Sequence, residues 1–321
     1  MPDSPTLADV QAAAEVIAGR VHRTPMLTSA TLAQRCGVPV WLKAELFQRI
    51  GAFKPRGAFN RLHALTPDER ELGTITISAG NHAQALALAA RDEGIDALVL
   101  MPADASPAKV AATRGYGATV DLESADSMEA LERMGAIAAE TGRTIVHPYD
   151  DPLIVAGQGT VGLEIVEDAP DADTVIVPIG GGGLIAGIAT AVTGLRPNAR
   201  VIGVEPELSA AMRTAIDAGH PVPAVPGPTI ADALRSPVAG EIGLDVCRRL
   251  VDDVVLVSED EIRDGLRFLY ARAKLACEPG AAVGVAALMA DRLDVRGSQG
   301  VVFVISGGNV SPQLAAEILA G

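Results

Sequence analysis

The sequence is poor in aromatic residues, cysteine and positive charge, and each shortage removes a class of explanation. Phe, Trp and Tyr make up 3% of the 321 residues, so the core must be built mainly from aliphatic side chains. The three cysteines, Cys36, Cys247 and Cys277, are too few and too scattered for a disulfide framework, and no pair has metal-ligand spacing. A reducing, cytoplasmic setting is the expectation. Lys and Arg number 26 against 40 Asp and Glu, a formal net charge of -14, which disfavours nucleic acid and anionic membrane as partners and leaves a small molecule. No uninterrupted apolar run reaches membrane-spanning length, and no basic segment followed by an apolar stretch opens the chain. Little sequence follows Asn309, so no appended regulatory domain is expected.

What is present is ample apolar material, 49% of residues, arranged in a rhythm. From Thr74 onwards, short β-rich runs alternate with helical segments. Strands are expected at Thr74–Ser78, Ala97–Met101, Ala118–Leu122, Thr144–His147, Thr174–Ile179, Val201–Glu205, Val254–Val257 and Val301–Ser306. Helices are expected at His82–Glu93, after Ser106-Pro107, up to about Glu140, from Leu184, from Glu207, and after the capping box Ser258-Glu259-Asp260-Glu261. Such alternation implies an α/β fold with parallel sheets covered by helices on both faces. The Pro-rich segment Pro221–Pro228 reads as a surface loop.

Four loops carry candidate chemistry. Gly180-Gly181-Gly182-Gly183-Leu184 joins a strand to a helix and offers bare backbone N–H groups to an anion at a positive helix end, which suits phosphate. The loop does not name its ligand: Gly181-x-Gly183-x-x-Ala186, with Glu205 closing the next strand, also satisfies a dinucleotide fingerprint. In Gly51-Ala52-Phe53-Lys54-Pro55-Arg56-Gly57, Pro55 opens a helix and places Lys54 at its positive end beside Phe53, a setting that lowers an amine pKa as Schiff-base chemistry requires. Taken alone, Lys54 still reads as a surface lysine. Ser78-Ala79-Gly80-Asn81-His82 follows a strand and opens a helix; it fits either an ordinary cap by Asn81 or a carboxylate site made of backbone N–H groups. Ser306-Gly307-Gly308-Asn309 puts a hydroxyl at the C-terminal edge of a parallel sheet, where such folds bind ligands, though a tight turn reads equally well.

In this order the four elements, with Arg23-Thr24-Pro25, Gln158-Gly159-Thr160 and Glu278-Pro279-Gly280, resemble the fold-type II pyridoxal-phosphate enzymes, in particular the threonine/serine dehydratase and serine racemase family. The resemblance spans about residues 23–309. It implies a tryptophan synthase β-like architecture: two open twisted sheets, a large cofactor domain made of residues 1–69 and 150–321, and a small mobile domain of residues 70–149. It implies pyridoxal 5'-phosphate as cofactor and a homodimer. By the same resemblance Lys54 carries the cofactor and moves the Cα proton, and Phe53 lies beside the ring. Asn81 bonds the ring hydroxyl, Gly180, Gly181, Gly182, Gly183 and Leu184 hold the phosphate, Glu278 lines the cofactor site, and Ser306 meets the pyridine nitrogen. Ser78, Ala79, Gly80 and His82 form the substrate carboxylate site. The implied reaction removes hydroxyl and amine from L-threonine or L-serine, giving 2-oxobutanoate or pyruvate plus ammonia.

Several positions depart from that pattern. Ala79 stands where serine racemases have a serine acting as second acid/base, so dehydration is favoured over racemisation. Ile50 and Ala52 replace Thr and Ser, and Ala233 replaces a Gly near the expected ring. The family's divalent-cation site takes a Glu and an Asp six residues later; Glu205 matches the first, Ala211 stands at the second, and no metal is assigned. The histidines, His22, His63, His82, His147 and His220, form no zinc constellation. The competing readings are racemisation, dehydration of another 3-hydroxy amino acid such as 3-hydroxyaspartate, and a non-catalytic amino-acid sensor on the same fold.

Overall fold

The alternating runs fold into two separate sheets in a computed structural model, which describes residues 4–321. The first sheet contains β1 (Met26–Thr28), β2 (Val40–Ala44), β7 (Thr174–Pro178), β8 (Arg200–Pro206), β9 (Asp253–Val257) and β10 (Val301–Ile305). Its order is β1-β2-β10-β7-β8-β9, and only β1 runs antiparallel to its neighbour. The second sheet is parallel, built from β3 (Thr74–Ile77), β4 (Ala97–Pro102), β5 (Thr119–Ser124) and β6 (Thr144–Ile145) in the order β5-β4-β3-β6. The α/β class and the pair of helix-flanked sheets agree with the sequence reading.

The central strands read as unbroken apolar runs because both of their faces are covered. Ile176 and Phe303 face one core with Val283 and Ala286, while Val175, Val177, Val302 and Val304 face the other with Ile185 and Ile188. The second sheet divides in the same way: Val99 and Met101 pack towards helix Asn81–Glu93, Ile75 and Leu100 towards helix Ser127–Thr141. Few aromatic side chains take part, as the composition requires; Phe59 and Phe303 are the two among the largest fully buried side chains.

The expected elements after Thr74 are present, with ends displaced by a residue or two. Ser258 caps helix Glu259–Phe268 in a full capping box with Glu261. Two differences are physical. The helix expected from Glu207 begins as a 3-10 turn, Glu207–Ser209, and the α-helix starts only at Ala211, because Ala210 is non-helical at φ -97° and ψ 53°. The segment after Ser258 stops being α-helical at Phe268, continues as a π-turn over Leu269–Ala273 and ends where Lys274 turns left-handed.

One packing feature sets the position of Lys54. Helix Pro55–His63 crosses helix Pro152–Asp168 with almost no side chain between them. A Cβ on Gly57 would lie 2.7 Å from the Ile154 carbonyl oxygen, and one on Gly157 would lie 2.6 Å from the Gly57 Cα. Any larger residue at this crossing pushes the helix that starts at Lys54 off its support.

Candidate active site

Lys54 occupies the capping position of helix Pro55–His63, with Pro55 as first helical residue. The chain reaches it through two left-handed residues, Ile50 at φ 64° and Gly51 at φ 76°. The loop then pairs with the one after β10: Phe53 N–H donates to the Ser306 carbonyl at 3.1 Å, Gly308 N–H donates to the Gly51 carbonyl at 2.8 Å, and Ala52 and Gly307 form an antiparallel bridge. Two of the four loops are thereby fastened together. The Lys54 Nζ donates to the Pro148 carbonyl at 2.7 Å and lies 5.2 Å from the Phe53 ring centre. Burial pushes its ammonium down to about 8, against the opposing pull of the Glu278 carboxylate.

The chain has four lysines, and the other three are differently employed. Lys43 is fully buried and paired with Glu164 at 2.5 Å. Lys109 pairs with Asp232 at 2.6 Å, and the Lys274 Nζ donates to the Ala271 carbonyl at 2.6 Å.

The glycine loop lies one residue away from the Lys54 contact. Tyr149, next to Pro148, rests on it: a Cβ at Gly181 would collide with the Tyr149 ring, and one at Gly183 would lie 2.8 Å from the Tyr149 carbonyl oxygen. Gly182 has φ +100°, a conformation suited to glycine. Helix Gly183–Leu195 starts with no side-chain cap, so its first backbone N–H groups, those of Gly183 and Leu184 included, have no intrahelical partner. On the other side, a Cβ at Gly180 would meet the Leu234 Cα at 3.2 Å. Tyr149 was not singled out by sequence reasoning; its position directly before the Asp150-Asp151 pair that caps two helices is the available signal. Asp150 accepts from Glu241 and Ile242 N–H groups, Asp151 from those of Leu153 and Ile154.

The remaining loops converge on a buried carboxylate. The Asn81 Nδ2 donates to Glu278 Oε1 at 3.0 Å and Oε2 at 3.2 Å, and its Oδ1 accepts from Asn309 Nδ2 at 2.7 Å. Asn81 is therefore not the helix cap that one reading of its loop allowed. Gly80 holds the capping position, and no side chain caps helix Asn81–Glu93. Burial pushes Glu278 up to about 7, partly offset by the Asn81 hydrogen bond. Ser306 is buried at the end of β10, and Glu278 N–H donates to the adjacent Gly307 carbonyl at 3.1 Å. Gly80 N–H donates to the Ser78 Oγ at 3.2 Å, and Ala79 packs at the edge of the apolar cluster beneath. His82 is buried, with Nε2 3.1 Å from the Val146 carbonyl. Burial, followed by the Lys54 charge, pushes it down to about 3 and keeps it neutral.

Comparison with known proteins agrees with this geometry. A family model described as "Pyridoxal-phosphate dependent enzyme" matches residues 17–307. A Thermotoga maritima protein named L-threonine ammonia-lyase is 41% identical over 314 residues, 98% of this chain and 78% of that protein. Among solved structures, a maize serine racemase superposes with TM-score 0.93 at 35% identity, covering 99% of this chain and 98% of that one. A threonine deaminase from Solanum lycopersicum, isoform 2 in its processed form, gives TM-score 0.90 at 32% identity, covering 99% and 90%. The chain belongs to the pyridoxal-phosphate dependent enzymes.

The residues present fit that cofactor. A pyridoxal-phosphate enzyme needs an amine that loses its proton easily, an anion cradle and donors for the ring. Lys54 has the depressed pKa, the helix after the glycine loop begins with uncapped backbone N–H groups, and Asn81 keeps one amide hydrogen free after its bond to Glu278. The dinucleotide reading fails at Glu205. Its Oε1 accepts from Met212 N–H and its Oε2 from Arg213 N–H, both at 2.8 Å, so the carboxylate caps helix Ala211–Ala218 and is not offered to a ribose. Ala211 stands where the second acid of a cation site would be, so Glu205 is the only carboxylate of that pair. Among the described residues no group of three or more His, Cys, Asp or Glu could hold a metal ion.

Proposed function

We propose that this enzyme removes the hydroxyl and amino groups of L-threonine or L-serine, releasing 2-oxobutanoate or pyruvate and ammonia. The observation that carries the reading is Lys54: a buried amine held on the Pro148 carbonyl, sited between the glycine loop and the Ser306 loop, with a depressed pKa and with alanine at position 79. Pyridoxal phosphate, when bound, supplies the electron sink that makes the Cα–H acidic and lets a β-substituent leave.

The chain's own groups do the rest. Lys54, an amine with a pKa of about 8, holds the cofactor and takes the proton from Cα. Phe53 flanks the ring. The backbone of Gly180, Gly181, Gly182, Gly183 and Leu184 binds phosphate at the helix end. Asn81, fixed by Glu278, would donate to the ring hydroxyl, and Ser306 would bond the pyridine nitrogen. Ser306 is uncharged, so it does not keep that nitrogen protonated as an aspartate would, which favours loss of a leaving group over transamination. Ser78, Ala79, Gly80 and His82 form the pocket for the substrate carboxylate, with backbone N–H groups at the start of helix Asn81–Glu93. Ala79 has no proton to give, so Lys54 is the only side-chain base at Cα.

Residues 70–149 act as a small domain that closes on the body formed by 1–69 and 150–321. The Lys109–Asp232 pair spans the two at 2.6 Å. The family resemblance supports a homodimer, and the free, mostly buried cysteines suit a reducing cytoplasm. No helix among the described residues is long and apolar enough to cross a membrane.

The test is a panel of L-threonine, L-serine and 3-hydroxyaspartate assayed for 2-oxo acid release, with Lys54→Ala as control. Threonine or serine turnover that vanishes in the control supports the reading. Turnover of 3-hydroxyaspartate alone, or full activity in the control, contradicts it.

A further inference from the structure

Asn309 has no role in the reaction as described above, yet it sits where three parts of the site meet. Its Nδ2 donates to Asn81 Oδ1 at 2.7 Å and to the Ile50 carbonyl at 2.8 Å, so both amide hydrogens are in use. Ile50 is β-branched and held at φ 64°, a backbone region that such residues avoid. The Asn309 bond is one of the contacts that hold it there, four residues before Lys54.

We propose that Asn309 is a positioning residue for the cofactor: it locks the Asn81 carboxamide with its NH2 group, and not its oxygen, available to the ring hydroxyl. The proposal rests on the reading of Asn81 given above. A carboxamide has two orientations related by a half-turn. In the observed one, Asn81 gives one N–H to Glu278 and receives one from Asn309, which leaves a single N–H uncommitted. In the turned one, Asn81 Oδ1 faces the Glu278 carboxylate and its NH2 faces the NH2 of Asn309. Each of these contacts sets like against like.

Glu278 alone does not secure the choice. A protonated carboxyl donates to an oxygen as readily as an ionised one accepts from an amide. Burial and the nearby Asp232 charge favour the protonated form of Glu278, whereas the Asn81 amide, the Asn309 backbone N–H and Lys109 favour the ionised form. The Lys54 ammonium also interacts with the Glu278 charge. Asn309 donates at every pH, and so fixes the amide whatever the state of Glu278.

The test is spectroscopic and uses the holoenzyme. The ratio of the two near-ultraviolet and visible bands of bound pyridoxal phosphate reports where the proton of the ring hydroxyl sits. In the unaltered protein this ratio is expected to stay constant across the pH range in which Glu278 titrates. In Asn309→Ala it is expected to change with pH over that range, with cofactor dissociation constant raised about tenfold. Because that variant also releases Ile50, Ile50→Gly/Asn309→Ala is measured beside it; glycine accepts the left-handed backbone without strain. The double variant should keep the altered band ratio, although loss of the buried Ile50 side chain lowers its melting temperature further. A wild-type ratio and affinity in Asn309→Ala, or a ratio restored by Ile50→Gly, overturns the proposal. Asn81→Ala separates the two levels: if it too leaves the bands unchanged, the assignment of Asn81 to the ring hydroxyl is wrong and the proposal falls with it.

Discussion

Replacing Arg56 by methionine tests how the Lys54 helix is held. Arg56 is fully buried two residues after Lys54 and joins three segments: it pairs with Glu45 at 2.8 Å, with Glu164 at 2.7 Å, and donates to the Thr160 hydroxyl at 3.1 Å. Burial alone would lower its pKa; the two carboxylates outweigh that and raise it. Arg56, Lys43, Glu45 and Glu164 contribute two positive and two negative groups, and Lys43 also lies 3.9 Å from the partly exposed Asp168 at the edge of the cluster. Arg56→Met leaves Glu45 as a fully buried carboxylate without its cation. Breaking one side of such a pair costs about 3–5 kcal/mol, because the surviving charge is stranded, so the denaturant midpoint should fall by the corresponding amount. A stranded acid has its folded pKa raised above the ordinary value of about 4.3. The folded state then binds the extra proton, and the stability of the variant declines as pH rises above that value. Glu45→Leu/Arg56→Met restores neutrality and should be more stable than Arg56→Met alone. A loss below about 1 kcal/mol in Arg56→Met, or a double variant whose loss equals the sum of the single losses, refutes the reasoning.

Four other outcomes follow from the site. L-Serine should yield pyruvate far faster than D-serine, and Ala79→Ser should raise D-serine formation by supplying a second proton carrier; comparable rates in the unaltered protein, read by chiral chromatography, would contradict the role given to Ala79. Attachment of pyridoxal phosphate to the apoenzyme, followed by its absorption band, should speed up with pH and level off above about 8, where Lys54 is neutral. Because that folded value lies below the unfolded value of about 10.4, the unfolded chain binds more protons between the two, and the apoenzyme gains stability as pH rises from about 8 towards 10; Lys54→Met removes the gain, as seen in pH-dependent thermal melts. Finally, a chelator should leave turnover and melting temperature unchanged, since Glu205 caps a helix; a loss reversed by magnesium or manganese would show that the carboxylate turns to bind a cation.

Much of this was legible in the sequence because the cofactor loops are local. A strand, a glycine-rich turn and a helix start within a few residues of each other, and Pro55, Gly94 and Ser258 mark helix ends by rules that need no tertiary context. The strand rhythm after Thr74 was legible for the same reason: buried parallel strands have apolar residues on both faces. What was not legible depends on residues far apart in the chain. The Lys54 contact with the Pro148 carbonyl spans 94 residues, and the Asn309 contact with Asn81 spans 228. Arg56 gave no signal either, since a buried arginine and a surface arginine at the start of a helix look alike until Glu45 and Glu164 are brought to it. Glu205 is the instructive case. Its position at a strand end fitted a ribose or a cation, and only the helix that begins at Ala211 shows that its oxygens are taken.

The central claim, that Lys54 is the lysine that carries the cofactor, is tested most directly by borohydride reduction of the cofactor-bound enzyme followed by peptide mass mapping. With four lysines in the chain the answer is unambiguous. The account predicts a single phosphopyridoxyl group on the peptide containing Lys54. The same group on Lys43, Lys109 or Lys274, or on no lysine at all, would contradict it.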